Sequence, residues 1–166
     1  LDETRSMIGC GVKKLLQRAF VATGAAASAD QIEGIQERFL EVYAQHLTDQ
    51  TCTYPQVNET LNLLQEEGHS IGLCTNKPEW HARAILDYHG LKEFFGEAIV
   101  GGDTTGERKP SALPLRVTME LLGAGRAVLV GDSETDIKAA KNADIPVVHV
   151  SWGYGPDAAG ATAKIS

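Results

Sequence analysis

The sequence predicts an α/β protein, with a parallel sheet covered by helices and a helical segment placed ahead of it. Three observations predict this. From about residue 54, short apolar runs recur between Gly, Pro and polar residues. Each run is followed by a stretch with helical spacing, and strands that alternate with helices imply right-handed crossovers and parallel pairing. Residues before 54 show helical spacing alone.

The helical segment reads as a hairpin. Val12, Leu15, Leu16, Ala19 and Phe20 line one helical face; Ile32, Ile35, Phe39, Val42, Tyr43 and Leu47 line a second. Gly24 and the small residues Ala25–Ala29 separate them, with Asp30 as the expected N-cap of the second helix. Tyr54-Pro55 then opens a helix that runs to Gly68. Ser70–Cys74 is a short strand that ends in Thr75-Asn76-Lys77-Pro78. Glu79–His89 is a helix closed by Gly90, and Ala98–Gly101 is the next strand. Ser111–Leu122 is a helix with Pro110 as its starter and Gly123 as its stop. Ala127–Gly131 is a strand, Glu134–Ala143 a helix and Pro146–Ser151 a strand. A glycine-rich turn, Trp152–Pro156, follows, and Gly160–Ser166 reads as the start of a final strand. Two domains follow: helical residues 1–53, and residues 54–166 carrying the sheet.

Composition narrows the function. Hydrophobic residues make up 43% and charged residues 22% of the chain, as in ordinary globular proteins. The net charge of −7 and the lack of a basic cluster argue against a nucleic-acid partner. No apolar run approaches the roughly 20 residues of a membrane span, and no signal peptide opens the chain. Cys10, Cys52 and Cys74 are odd in number and widely spaced, which suits free thiols in a reducing, cytoplasmic setting. The five histidines show no metal-ligand spacing and read as surface or packing residues. Oligomeric state is not legible.

The chemistry lies at the strand ends. In a parallel sheet the C-terminal ends share one edge, where ligands bind. That edge gathers Thr75 and Asn76, then Gly101-Gly102-Asp103, then Asp132 and Asp136, with Lys109 in Glu107-Arg108-Lys109-Pro110 ahead of a helix. A hydroxyl, a lysine and two carboxylates in one place fit a phosphate beside a divalent metal. Thr75 and Lys109 would face the phosphate, and Asp132 the metal. Two carboxylates suit Mg²⁺, which keeps several waters and takes one or two carboxylates plus phosphate oxygens. Each piece also has a structural reading: Asp132 or Ser133 as a helix cap, Thr75-Asn76 as turn chemistry, Lys109 as a solvated charge.

In order and spacing these motifs resemble those of haloacid-dehalogenase-superfamily phosphatases, in particular the phosphoglycolate phosphatase group. Leu73-Cys74-Thr75-Asn76-Lys77-Pro78 matches the second motif of that family. Gly101-Gly102-Asp103 with Arg108-Lys109-Pro110 matches the third, and Val130–Asp136 matches the fourth, acidic one. Ser151-Trp152-Gly153-Tyr154-Gly155 resembles the turn that follows the next strand. Ile8-Gly9-Cys10-Gly11-Val12 with Leu15 and Arg18 resembles the loop and first helix of an inserted cap. The resemblance implies a haloacid-dehalogenase-like Rossmannoid parallel sheet with a helical cap domain. It implies a Mg²⁺-dependent hydrolase of a small phosphorylated metabolite, phosphoglycolate or similar. Thr75 and Lys109 would be catalytic, Asn76, Gly9, Gly11 and Arg18 substrate-binding, and Asp132 and Asp136 metal-binding. Arg18 also reads as a plain solvated helix arginine.

The family's first motif, Asp-x-Asp-x-Thr after an apolar strand, carries the nucleophile and does not occur in this sequence. Leu1-Asp2-Glu3-Thr4 is not that motif. The expectation is a piece of a longer phosphatase whose central strand is missing, so that the strands ending at Thr75 and Asp132 lack a shared partner. The chain as given is then inactive. The alternatives are a sheet that closes up or recruits a strand, and a non-catalytic phosphate- or metal-binding module.

Overall fold

The computed structural model describes residues 7–155 and 159–166, and the elements lying wholly within them are six α-helices and five short strands. Leu1–Thr4, Pro156 and Asp157 lie outside the described residues. Helices α1 (Val12–Ala22) and α2 (Ala29–Gln45) pack on each other as a hairpin. Then come α3 (Val57–Glu66), β1 (Leu73–Cys74), α4 (Glu79–Tyr88), a single 3₁₀ turn at Lys92–Phe94 and β2 (Ile99–Val100). The order closes with α5 (Leu113–Leu121), β3 (Leu129–Gly131), α6 (Glu134–Ala143), β4 (Val147–Val150) and β5 (Ala163–Ile165). Among the described residues, no helix is long and apolar enough to cross a membrane.

All strand pairing is parallel, but it forms two sheets. Leu73 and Cys74 of β1 sit opposite Ile99 and Val100 of β2. Separately, β3 pairs with β4, and β4 with β5. The sheet has not closed up: β1 and β3 do not pair. Hydrogen-bond direction alternates along a strand. The Leu73 and Thr75 N–H groups donate to the Ala98 and Val100 carbonyls at 2.8 and 2.9 Å, which turns the backbone groups of Cys74 toward the opposite edge. Leu129 N–H donates to Pro146 O at 3.0 Å, so Val128 and Val130 likewise face away from β4. Val130 is 62% exposed on a strand whose neighbour β4 alternates buried and half-buried residues. Each sheet thus presents an open edge.

The core is divided in the same way. Leu86, Leu91 and Ile99 form one cluster with Leu73, Phe94 and Phe95 against them. Ile137, Ala140 and Val147 form the second with Leu129, Ile145 and Ala161. Ile99 and Val100 are fully buried, each worth about 1.5–3 kcal/mol on transfer from water. Helix α5 joins the halves: it packs on β1 and β2 and also on α6, which covers β3 and β4. Asn142 Nδ2, on α6, donates to Pro110 O at 2.8 Å across the same seam.

Most element boundaries follow the sequence reading, with the strands shorter than expected. Helix α6 matches it residue for residue. Two local expectations are corrected. The N-cap of α2 is Ser28, not Asp30: Ser28 Oγ accepts from Gln31 N–H, and the Gln31 side chain accepts from Ser28 N–H, a reciprocal box that Asp30, inside the first turn, does not form. Helix α5 begins at Leu113, three residues beyond Pro110, with Pro114 in its first turn.

Candidate active site

Lys109 organises the site. Its Nζ donates to Cys74 O at the end of β1 and to Asp136 Oδ1 in the first turn of α6, both at 2.7 Å. One buried ammonium therefore spans the gap between the two sheets, and the Lys109 and Asp136 side chains are 11% and 7% exposed. Burial pushes the Asp136 carboxyl up. The Lys109 charge, with the hydroxyl and N–H of Ser133, outweighs it and holds the group below its ordinary value of 3.8. Burial raises the neighbouring Cys74 thiol against the pull of Lys109, so this strand end supplies no thiolate.

Asp136 is fully engaged. Oδ1 takes Lys109, and Oδ2 accepts from Ser133 N–H at 3.2 Å and Ser133 Oγ at 2.6 Å. Ser133 caps α6 in return, accepting from Asp136 N–H. Asp132 is held differently. Its Oδ2 accepts from Tyr154 N–H at 2.6 Å and Gly155 N–H at 3.4 Å, and among the described residues no hydrogen bond reaches Oδ1. The chain can approach so closely because of Gly153: a Cβ there would lie 2.1 Å from Asp132 Cβ. The glycine-rich turn after β4 is thus a backbone clamp on one carboxylate oxygen that leaves the other open.

As a Mg²⁺ site this set is partial but fitting. Asp132 offers an open carboxylate oxygen at a strand end, the kind of hard donor Mg²⁺ takes alongside waters and phosphate. The Asp136 oxygens already have partners. Among the described residues, no three His, Cys, Asp or Glu side chains cluster as a ready metal cage.

Thr75 stands next to the Cys74 carbonyl that Lys109 holds, and its Oγ1 accepts from Lys77 N–H at 3.1 Å. Asn76 is buried, and its Nδ2 donates to Gly9 O and to Lys109 O, each at 3.0 Å. That amide links the loop before α1 to the lysine. Among the described residues its Oδ1 has no partner, a buried acceptor that a ligand or water donor could satisfy. Gly9 therefore lies next to this strand end through Asn76, while Gly11 lies against Arg108. Arg18 is turned into its own loop, with Nη1 on Met7 O at 3.1 Å and Nη2 on Cys10 Sγ at 3.8 Å.

Several contributors were not legible beforehand. Asp103 caps α4 by accepting from Glu79 N–H at 2.7 Å. Tyr43 of α2 accepts a short hydrogen bond from Lys77 Nζ, which also lies over its ring. His81 is buried edge-on to Tyr43 and Trp80, in keeping with a packing role; burial, then Lys77, pulls its pKa down. Only the clustering of Gly153 and Gly155 hinted at the clamp on Asp132.

Two parallel sheets thus place a threonine and two aspartates at or just beyond their strand ends, with a lysine reaching across the gap between them. The chain belongs to the haloacid dehalogenase-like hydrolase family, whose model matches residues 1–150. The phosphoglycolate phosphatase of Caulobacter vibrioides is 37% identical over 155 residues, covering 92% of this chain and 65% of the relative. That of Rhodospirillum rubrum is 41% identical over 162 residues, covering 93% and 67%. The chain therefore spans about two thirds of the length of these curated relatives. A crystal structure of a predicted phosphoglycolate phosphatase from Haemophilus somnus superposes with a TM-score of 0.82 at 31% identity, over 93% of this chain and 71% of that one.

Proposed function

We propose that this chain carries the phosphate- and metal-binding half of a Mg²⁺-dependent phosphomonoester hydrolase acting on a small phosphorylated metabolite of the phosphoglycolate type. The observation that carries the reading is the Lys109 ammonium held between Cys74 O and Asp136. A dianionic ester repels a carboxylate nucleophile unless cations offset its charge. Lys109 would supply one such cation at the strand end that carries Thr75, and Asp136 holds it in place. Asp132, oriented by the Tyr154 and Gly155 N–H groups, would hold Mg²⁺ through Oδ1, with Asp136 beside it. Bound Mg²⁺ would supply further neutralisation of the phosphoryl oxygens.

Residues 1–53 act in this reading as a cap over residues 54–166, with Gly9, Gly11, Asn76 and Arg18 at the substrate's border. The family names of the relatives support the substrate class, and the three free cysteines suit a cytoplasmic setting. The open edges of β1 and β3 are the place for a strand bearing Asp-x-Asp-x-Thr, which this sequence lacks. That lack also favours a second reading, a binding module without catalysis. An in-frame Asp-x-Asp-x-Thr upstream in the coding sequence separates the two.

Isothermal titration of the 166-residue chain with inorganic phosphate and Mg²⁺ tests the proposal. Saturable binding that Lys109→Gln and Thr75→Val each weaken at least about tenfold is expected, that being the worth of a charge-assisted hydrogen bond. Binding indifferent to both substitutions would refute it. Turnover of p-nitrophenyl phosphate by the same material would refute the assignment of the nucleophile to another segment.

A further inference from the structure

Arg108 lies outside the set the motifs selected. Its Nε donates to Gly102 O at 2.5 Å, and among the described residues no hydrogen bond or ion pair engages Nη1 or Nη2. The guanidinium is pressed against the loop that precedes α1: a Cβ on Gly11 would lie 2.8 Å from Arg108 Nη1. Gly11 also has φ +84, so a side chain there would be strained, and the guanidinium would have to swing aside to admit it. The same loop is tied to the next residue along, because Asn76 Nδ2 bridges Gly9 O and Lys109 O. An unpaired arginine fork thus sits between the glycine loop and Gly102, one residue from the lysine of the phosphate site. Arg18, the arginine the motifs favoured, instead spans Met7 O and Cys10 Sγ within its own loop.

Resting on the phosphate-site reading above, we propose that Arg108 is a specificity-determining residue that takes the carboxylate of a carboxylated phosphomonoester in a bidentate fork. The planar guanidinium matches a carboxylate with two parallel N–H donors, which a neutral substrate tail cannot accept in the same way. Gly11 is glycine because of its φ of +84, and its bare Cα lets the guanidinium lie close to the loop.

The test compares 2-phosphoglycolate, ethyl phosphate and inorganic phosphate by calorimetric titration of the full chain. The wild type is expected to prefer 2-phosphoglycolate over ethyl phosphate by about tenfold or more, in line with a charge-assisted pair. R108Q should bring that ratio close to one. R108K, which keeps the charge but loses the fork, should lose most of it, and carries the test if R108Q does not fold. A wild-type ratio of one, or an unaltered ratio in both variants, overturns the role of Arg108 while inorganic phosphate still binds. Failure of inorganic phosphate to bind the wild type overturns the phosphate site itself, and this inference with it.

Discussion

Replacing Lys109 by Met should strip stability from the chain and reverse the sign of its acid dependence. The Lys109 and Asp136 side chains are 11% and 7% exposed and 2.7 Å apart. Removing one partner of a buried ion pair costs about 3–5 kcal/mol, because the other charge is left without compensation. With urea m-values of about 1–3 kcal/mol per molar, the unfolding midpoint should fall by roughly 1–5 M. In the wild type the folded Asp136 pKa lies below its ordinary value of 3.8. Its contribution is therefore present above the unfolded pKa and lost as pH falls through the lower folded value. In Lys109→Met, burial acts without the opposing ammonium and raises the carboxyl. The residual contribution is then present at low pH and lost as pH rises through the raised value. Urea melts from pH 3 to 7, read by circular dichroism, measure both effects. The double variant Lys109→Met/Asp136→Leu should be less destabilised than the two single losses summed. Additive losses, or a Lys109→Met variant that shifts by less than about 0.5 M and keeps the wild-type pH slope, would refute the ion pair as the link across the sheets.

Two further outcomes follow from local geometry. Ser28→Ala should cost about 1 kcal/mol through loss of the reciprocal cap of α2, while Asp30→Ala should change stability by less than half of that; thermal melts of the two variants decide which residue caps. Gly153→Ala places a methyl group 2.1 Å from Asp132 Cβ, so the turn must move, at about 1–3 kcal/mol, and the Tyr154 amide should lose its protection from hydrogen exchange; unchanged Tyr154 protection would contradict the clamp.

Much of this architecture was legible because it is local. The helical periods of α1 and α2, the glycines after α4 and α5, and the full span of α6 are set by neighbours in sequence. The strands that end before Thr75 and Asp132 were legible from the alternation of apolar runs and helices, as was the position of Lys109 ahead of α5. What stayed hidden depends on distant contacts. Spacing marks Asp136 as a candidate metal ligand but does not show that Lys109, 27 residues away, donates to its Oδ1. The motifs picked out Arg18; the hydrogen bonds of Arg18 to its own loop, and the packing of Arg108 against Gly11, were not legible from them. Ser28 over Asp30 was a choice between two good caps, decided by whether Gln31 could close the box. The two-sheet split was foreseen as strands without a shared partner; that α5, Asn142 and Lys109 would bind the halves together was not.

Backbone ¹H–¹⁵N spectra of the 17.8 kDa chain during titration with inorganic phosphate and Mg²⁺ test the shared pocket most directly. Saturable shifts that grow together at Thr75, Asn76, Lys109 and Asp132, with one common dissociation constant, are the predicted result. Shifts confined to one strand end, or none at any of the four, would contradict it.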